Sequence, residues 1–414
     1  MTASETPGSA STGSGEQIKE PTDGLRALSP SKRRWSCNHR TSQRCGAATR
    51  CNAQAFSLVE MLMAVFILTL LIALFTGLMH QTSTMWRRTT GKIEQFQEAR
   101  DAFETMTRRL GQATLNVYWD YDNANAPTKY ERNSELRFIS GPADDLLGPS
   151  PDGRERPTHA VFFQAPFGVS DDAAESGFPN LLNTWGYYVE YGDDLRERPP
   201  FITAKILAPR YRYRLMELRQ VAERDSIYDF TSGFDSAGLA RSRTYTGKQW
   251  FQGAVNVSGA PVRVLAQNVV ALIITPRLSQ SDELAVKGSS DGMDASPLAP
   301  NYLYDSSPPA PGVTDSRYKD GRLNPVNQLP PLLQVTMVTM DEASAGRMNF
   351  QSGTKDFFAL KERFLQSADH TRDLLQTGDT GSLENALISR KANYRIFSTN
   401  IQLQGAKWSR AQTN

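Results

Sequence analysis

Nineteen consecutive residues, Met61-Leu-Met-Ala-Val-Phe-Ile-Leu-Thr-Leu-Leu-Ile-Ala-Leu-Phe-Thr-Gly-Leu-Met79, carry no charge. At a helical rise of ~1.5 Å per residue the run reaches ~28 Å, close to the ~30 Å hydrocarbon core of a bilayer. A buried core helix of a soluble protein seldom stays apolar on every face for this long, so the chain is expected to cross a membrane once. A secretory signal peptide fits less well. Its apolar region spans about 7–15 residues and is followed by a small-residue cleavage site, whereas here the small residue Ala55 precedes the run.

The rest of the 414-residue chain is of a different kind. Hydrophobic residues at 39% and charged residues at 22% describe a globular protein and exclude a multi-span one. The 46 basic and 44 acidic side chains leave a net charge of +2, so no overall field points to nucleic acid as a partner. The balance is uneven, because residues 1–55 hold eight Lys/Arg against four Asp/Glu. That stretch shows no apolar periodicity and reads as a disordered basic leader. It contains all three cysteines, Cys37, Cys45 and Cys51. Their spacing, even with His39 nearby, matches no compact zinc-ligand pattern.

Glu60 is the anomaly at the start of the apolar run, since a carboxylate in a membrane segment is costly and suggests a function. The residues around it, Ala55-Phe56-Ser57-Leu58-Val59-Glu60, resemble the N-terminal motif of the prepilin family: a small residue, Phe, Ser or Thr, Leu, any residue, Glu, then a hydrophobic helix. The resemblance implies cleavage between Ala55 and Phe56 by prepilin peptidase, followed by methylation of the Phe56 amine. Ala55 stands where the family more often has Gly, and the leader is longer than usual. Removing the leader would leave a cationic amine one helical turn from Glu60, and in a low-dielectric setting an amine and a carboxylate need each other. In a helix bundle the amine of one subunit can pair with Glu60 of its neighbour and set the axial register.

After the polar stretch from His80 to Gly91, Ile93, Phe96, Ala99, Phe103, Met106, Leu110, Ala113 and Val117 recur at steps of three and four, placing them on one helical face. Glu94, Glu98, Arg100, Asp101, Glu104, Arg108 and Arg109 occupy the other, so residues 80–117 are expected to form an amphipathic helix packed on a C-terminal domain. The segment Ala99–Ala113 is similar to the equivalent region of J-type minor pseudopilins of type II secretion and of PilW-like minor pilins.

From about Asn116 the period changes to two, predicting strands at Glu135–Ser140, Ala160–Ala165, Thr184–Tyr191, Arg210–Leu218, Val262–Pro276, Leu332–Thr339 and Tyr394–Leu403. Arg210, Arg212 and Arg214 alternate with Tyr211, Tyr213 and Leu215, as on a strand with one solvated face. The Pro-rich stretch Ser289–Gln328 reads as an irregular exposed insertion, and Asp356–Gln376 as a late helix. The expected fold class is α+β, pilin-like, with a long N-terminal helix packed on an antiparallel β-sheet head domain over 118–414. The segments Arg263–Thr275, Pro330–Thr339, Tyr394–Ser398 and Ala406–Ser409, together with the N-terminus, most resemble the prepilin-like family called Verru_Chthon cassette protein C.

Catalytic signatures are lacking. His39, His80, His159 and His370 have no metal-pair spacing, and there is no phosphate-cradling loop or dinucleotide fingerprint. Asp291, Asp294, Asp305, Asp315 and Asp320 could supply oxygen ligands to calcium, but not in an EF-hand spacing. The expectation is a structural minor pilin or pseudopilin subunit, not an enzyme, that binds no cofactor, metal or nucleic acid. Its partners would be prepilin peptidase, other pilin or pseudopilin subunits and the bacterial inner membrane, with the leader in the cytoplasm and the head in the periplasm. The competing class is a single-span anchored enzyme or binding protein in which the motif is accidental.

Overall fold

The computed structural model of the chain describes residues 57–121, 125–175, 177–225, 227, 248–257, 259–286, 294–308, 323–348, 357–375 and 381–408. The chain divides into two units, Met1–Ile72 and Ala73–Asn414. One helix, α1 (Leu58–Leu110), carries both patterns read above. Its large apolar side chains from Leu58 to Met79 remain 51–77% exposed, which rules out the buried core helix. Farther along, Ala99, Ala102, Phe103, Met106 and Leu110 are buried. The helix stops at Leu110, where Arg108 and Arg109 complement the negative end of its dipole and Gly111 follows. The spine is therefore shorter than the expected 80–117, and Val117, assigned to its apolar stripe, is 41% exposed beyond it.

Among the described residues eleven strands follow: β1 (Tyr118–Tyr121), β2 (Tyr130–Asn133), β3 (Phe138–Pro142), β4 (His159–Pro166), β5 (Leu182–Gly192), β6 (Arg212–Arg219), β7 (Val262–Gln267), β8 (Val269–Arg277), β9 (Tyr304–Asp305), β10 (Leu332–Met340) and β11 (Tyr394–Gln402). Between them lie short helices α2 (Ala143–Leu147), α3 (Gln249–Val255), α4 (Gln280–Val286), α5 (Glu342–Arg347), α6 (His370–Leu374) and α7 (Leu383–Ser389). The fold class is α+β, and every pairing is antiparallel. The strands form three sheets rather than one: a β1-β2 ribbon, a three-stranded sheet in the order β11-β10-β8 and a six-stranded sheet in the order β7-β6-β5-β4-β3-β9.

The division arises at one residue. The expected strand Val262–Pro276 is broken at Asn268, whose φ of 58° places it in the left-handed region, which Asn tolerates better than β-branched neighbours would. Asn268 accepts the Met340 N–H (3.0 Å) and donates from Nδ2 to Glu342 (2.8 Å), so the chain turns there from β7 to β8. Two outward amides of β8 are also satisfied. Leu272 donates to Thr158 Oγ1 (3.2 Å) and Ile274 to His159 Nδ1 (3.0 Å), tying the small sheet to the start of β4.

The central strands of the large sheet are buried on both faces. On one face, Phe251 of α3 stacks on Phe162 at 4.1 Å, and Gly186 is required beside it, because a Cβ there would come within 2.2 Å of the Phe162 ring. The solvated arginine face expected on β6 is absent. Arg214 is 3% exposed and donates to the Gly192 and Asp193 carbonyls, while Arg212 reaches Glu342 (2.9 Å).

Two further expectations change. The stretch 289–328 is not an exposed insertion where it is described: Leu298, Tyr302, Tyr304, Asn327 and Gln328 are buried, and β9 completes the sheet beside β3. The late helix over 356–376 is reduced to α6 and short 3₁₀ turns, because Ala359 and Phe364 take positive φ and interrupt it.

Asn268 gives a direct test of the corner. Asn268→Val should lower the stability of the detergent-solubilised full chain by about 3 kcal/mol, combining left-handed strain with a lost bond to a carboxylate. Asn268→Gly should lose roughly half as much, since only the bond is removed. Equal losses in urea titration would show that the φ at this position is not what the corner depends on.

Candidate functional site

The sequence directs attention to the start of α1. Ala55 and Phe56 lie outside the described residues, which begin at Ser57. The Ser57 hydroxyl accepts the Glu60 N–H (3.2 Å) and its carbonyl accepts that of Met61 (3.2 Å), making Ser57 the N-cap. Ser57-Leu-Val-Glu60 has the spacing of a capping box, a signal present in the sequence that the motif reading passed over. Glu60 therefore sits in the first turn, where the helix dipole favours a carboxylate, and it is exposed. The Thr69 hydroxyl bonds back to the Phe66 carbonyl (2.8 Å), so this polar atom needs no outside partner in an apolar medium. Among the described residues α1 alone is long and apolar enough to cross a membrane, compatible with single-pass anchoring.

In the second unit, polar chemistry concentrates in buried ion clusters that sequence reasoning missed. Glu217 of β6 is fully buried. Its Oε1 accepts from Arg109 of α1, Trp185 Nε1 (2.8 Å) and the Tyr187 hydroxyl (2.9 Å), and its Oε2 accepts Arg263 Nε at 2.6 Å. Burial alone would raise its pKa. The Trp185 bond, the Arg109 charge and the bonds from Arg263 and Tyr187 outweigh burial and hold it below the usual value. On the opposite face Glu190, 1% exposed, accepts from Arg154 (2.9 Å) and Arg196 (3.0 Å). Arg154 also reaches Glu197 and Asp193. A cavity of about 910 Å³ opens beside this cluster, lined by Arg154, Arg156, Arg196, Glu197, Asn256 and Arg263 among others. No signal short of knowing that both sheet faces are covered could have placed these charges inside.

The described histidines sit in different surroundings. His80 lies on the exposed side of α1. His159 is 1% exposed, faces the Phe364 carbonyl through Nε2 (3.2 Å) and accepts Ile274 N–H at Nδ1. This is the neutral ring with its proton on Nε2. His370 contacts the Tyr302 hydroxyl at 3.3 Å. None of the three is bonded to a Ser or Thr hydroxyl. Among the described residues no group of three or more His, Cys, Asp or Glu could hold a metal ion. Of the acids considered for calcium, Asp294 accepts the Thr371 N–H and Asp305 that of Ser307, and the other three fall outside the described residues.

The chain matches no protein-family model, no curated protein and no solved structure.

His159 makes stability depend on acidity. Burial is the largest cause lowering its pKa to about 4 from 6.5, and His370 is lowered by burial too. An unfolded histidine then binds a proton that the folded one refuses, so stability is full above about pH 6.5 and declines as pH falls toward 4. The His159 contribution is about 3 kcal/mol. Urea titrations of the full chain from pH 7 to pH 4 should show this loss, and His159→Asn, which keeps an acceptor near the Nδ1 position, should flatten the slope. A wild-type curve level through this window would reject the neutral buried ring.

Proposed function

We propose that the chain is a membrane-anchored structural subunit of a pilus-like fibre, a minor pilin or pseudopilin, processed by prepilin peptidase between Ala55 and Phe56. The observation carrying this reading is the exposed apolar stretch of α1 that starts, directly after the cleavage motif, with a carboxylate in its first turn. An ordinary single-span anchor has no need of Glu60. A fibre subunit does, because each incoming chain brings an uncompensated amine at Phe56 that a neighbour's Glu60 can neutralise. Apolar packing between helices then holds subunits together, and the ion pair selects the axial register. Lys32 to Arg50 keep the leader on the cytoplasmic side of the inner membrane, placing the β-rich head in the periplasm.

Mass spectrometry of the membrane-extracted protein should find a mature chain starting at methylated Phe56; an intact leader in cells with active prepilin peptidase would count against the proposal. Glu60→Ala should still be cleaved, because the peptidase acts at Ala55. It should fail to assemble. Stranding the neighbour's amine costs about 3–5 kcal/mol, enough to lower incorporation by roughly two orders of magnitude. Glu60→Gln, which keeps the size but not the charge, should fail as well. Incorporation of Glu60→Ala at the parent level, judged by cross-linking to other subunits, would make Glu60 a tolerated interfacial acid.

A further inference from the structure

Each of the two larger sheets has two edges, and three of the four are closed to further pairing by recognisable means. β9 is two residues long. β7 is short, carries Arg263 and has an irregular register opposite Leu215 and Met216. β8 has its outward Leu272 and Ile274 amides taken by Thr158 and His159. β11 is different. It pairs with β10 over nine residues without a bulge, contains no proline and bears one charge, Arg395.

The hydrogen-bond pattern fixes which of its groups face outward. Leu403 donates to the Pro331 carbonyl (3.3 Å) and Asp341 to the Asn393 carbonyl (3.0 Å), so the odd-numbered residues bond to β10. Tyr394, Ile396, Ser398, Asn400 and Gln402 therefore turn their backbone N–H and C=O groups away from it. No described residue pairs with them. Alongside, the flank of α1 and β11 enclose open spaces of about 1000 and 680 Å³, with Arg100, Glu104 and Thr107 on one side and Phe397, Thr399 and Ile401 on the other. Ile396, Phe397 and Ile401 are half-buried, leaving apolar surface for an added strand to cover.

We propose that β11 is a docking edge that receives an extended, strand-forming segment of a different subunit, with acidic residues where that segment passes Arg395 and Lys391. Backbone pairing supplies affinity and the flanking charges supply choice of partner. Arg395 and Lys391 are exposed and, among the described residues, have no carboxylate partner. A second copy is a poor occupant on two counts. β11 contains no acid to face its own arginine. α1 and β11 also ascend together, Phe96 meeting Arg395, Phe103 meeting Phe397 and Gly111 meeting Ile401. Antiparallel pairing of two β11 strands would direct the N-terminal ends of the two helical spines, where the membrane segments join, opposite ways. This last step, and the source of the partner in a fibre, rest on the function proposed above; the open edge does not.

The test uses the full chain in detergent and a fluorescein-labelled decapeptide of alternating Thr and Val ending in two Asp. Anisotropy should report micromolar binding, weakened at least about tenfold by N-methylation of alternate peptide amides, a change that leaves the protein untouched. Asn400→Pro should weaken it comparably, because the Asn400 N–H points outward and its loss breaks no bond to β10. Arg395→Glu should reverse the preference for the Asp-ended peptide over a Lys-ended one. In the free chain, the amides of Ile396, Ser398 and Asn400 should exchange faster than those of Phe397, Thr399 and Ile401, and the peptide should slow them. Equal protection without peptide, no binding at millimolar peptide, binding indifferent to N-methylation, or efficient cross-linking of two copies through position 398 would each overturn the proposal. Peptide binding by a chain whose leader stays intact would instead defeat the fibre reading and leave the edge standing.

Discussion

Glu217 is the point at which the helical spine and the large sheet become one object. Its carboxylate, fully buried on β6, is reached from α1 by Arg109, from β5 by Trp185 and Tyr187, and from β7 by Arg263. Taking a carboxylate out of water costs several kcal/mol, and attraction to its partners offsets that only when its lone pairs are fully engaged. Here both oxygens accept, and the Arg109 guanidinium also lies 5.0 Å from the centre of the Trp185 ring. The consequence is asymmetry. The intact cluster adds modest net stability, but an α1 displaced from its seat strands a buried negative charge, so wrong placements are penalised far more than the right one is rewarded.

The same logic explains how β6 can bury both Arg212 and Arg214. Once both sides of a sheet are covered, each charged side chain must find carboxylates or carbonyls within the fold. Arg212 finds Glu342, Arg214 finds the carbonyls that end β5, and nearby Arg154 draws on Glu190, Glu197 and Asp193. Arg214 nevertheless has a lowered pKa, burial outweighing the attraction of its acidic neighbours. Arrangements of this kind specify geometry, since a hydrophobic replacement could pack as tightly but would accept more than one register.

This also marks where the sequence was legible. The helix, its change from apolar on all faces to amphipathic, and the cores of the principal strands followed from periods of 3.6 and 2, because those periods report burial directly. Alternation of Arg with Tyr on β6 misled, since period two assigns side chains to two faces without saying whether either is solvated. The Asn268 corner was hidden inside an apolar run that reads as one strand, and only its tertiary partners, Met340 and Glu342, reveal the turn. The proline-rich stretch looked like a surface loop by composition, yet Tyr302 and Tyr304 anchor part of it in the core. At the helix start, the capping-box spacing of Ser57 and Glu60 was present in the sequence, and the Ser57 hydroxyl bond to the Glu60 N–H follows it.

The contact between α1 and the rest of the head is fixed at both ends by polar bonds and filled between them by apolar packing. Gln95 accepts the backbone N–H of Glu342 (2.7 Å), and Arg109 binds Glu217. The two positions lie about 21 Å apart along the helix axis. The stripe from Ala99 to Leu110 could by itself tolerate a small slide or roll, since apolar contacts are non-directional. Hydrogen bonds at the two ends cannot, because a slip of one residue turns a side chain by about 100° and breaks both. The acid that ties down the first end is itself held by Arg210, Arg212 and Asn268, so the residue dividing the sheets also braces the spine.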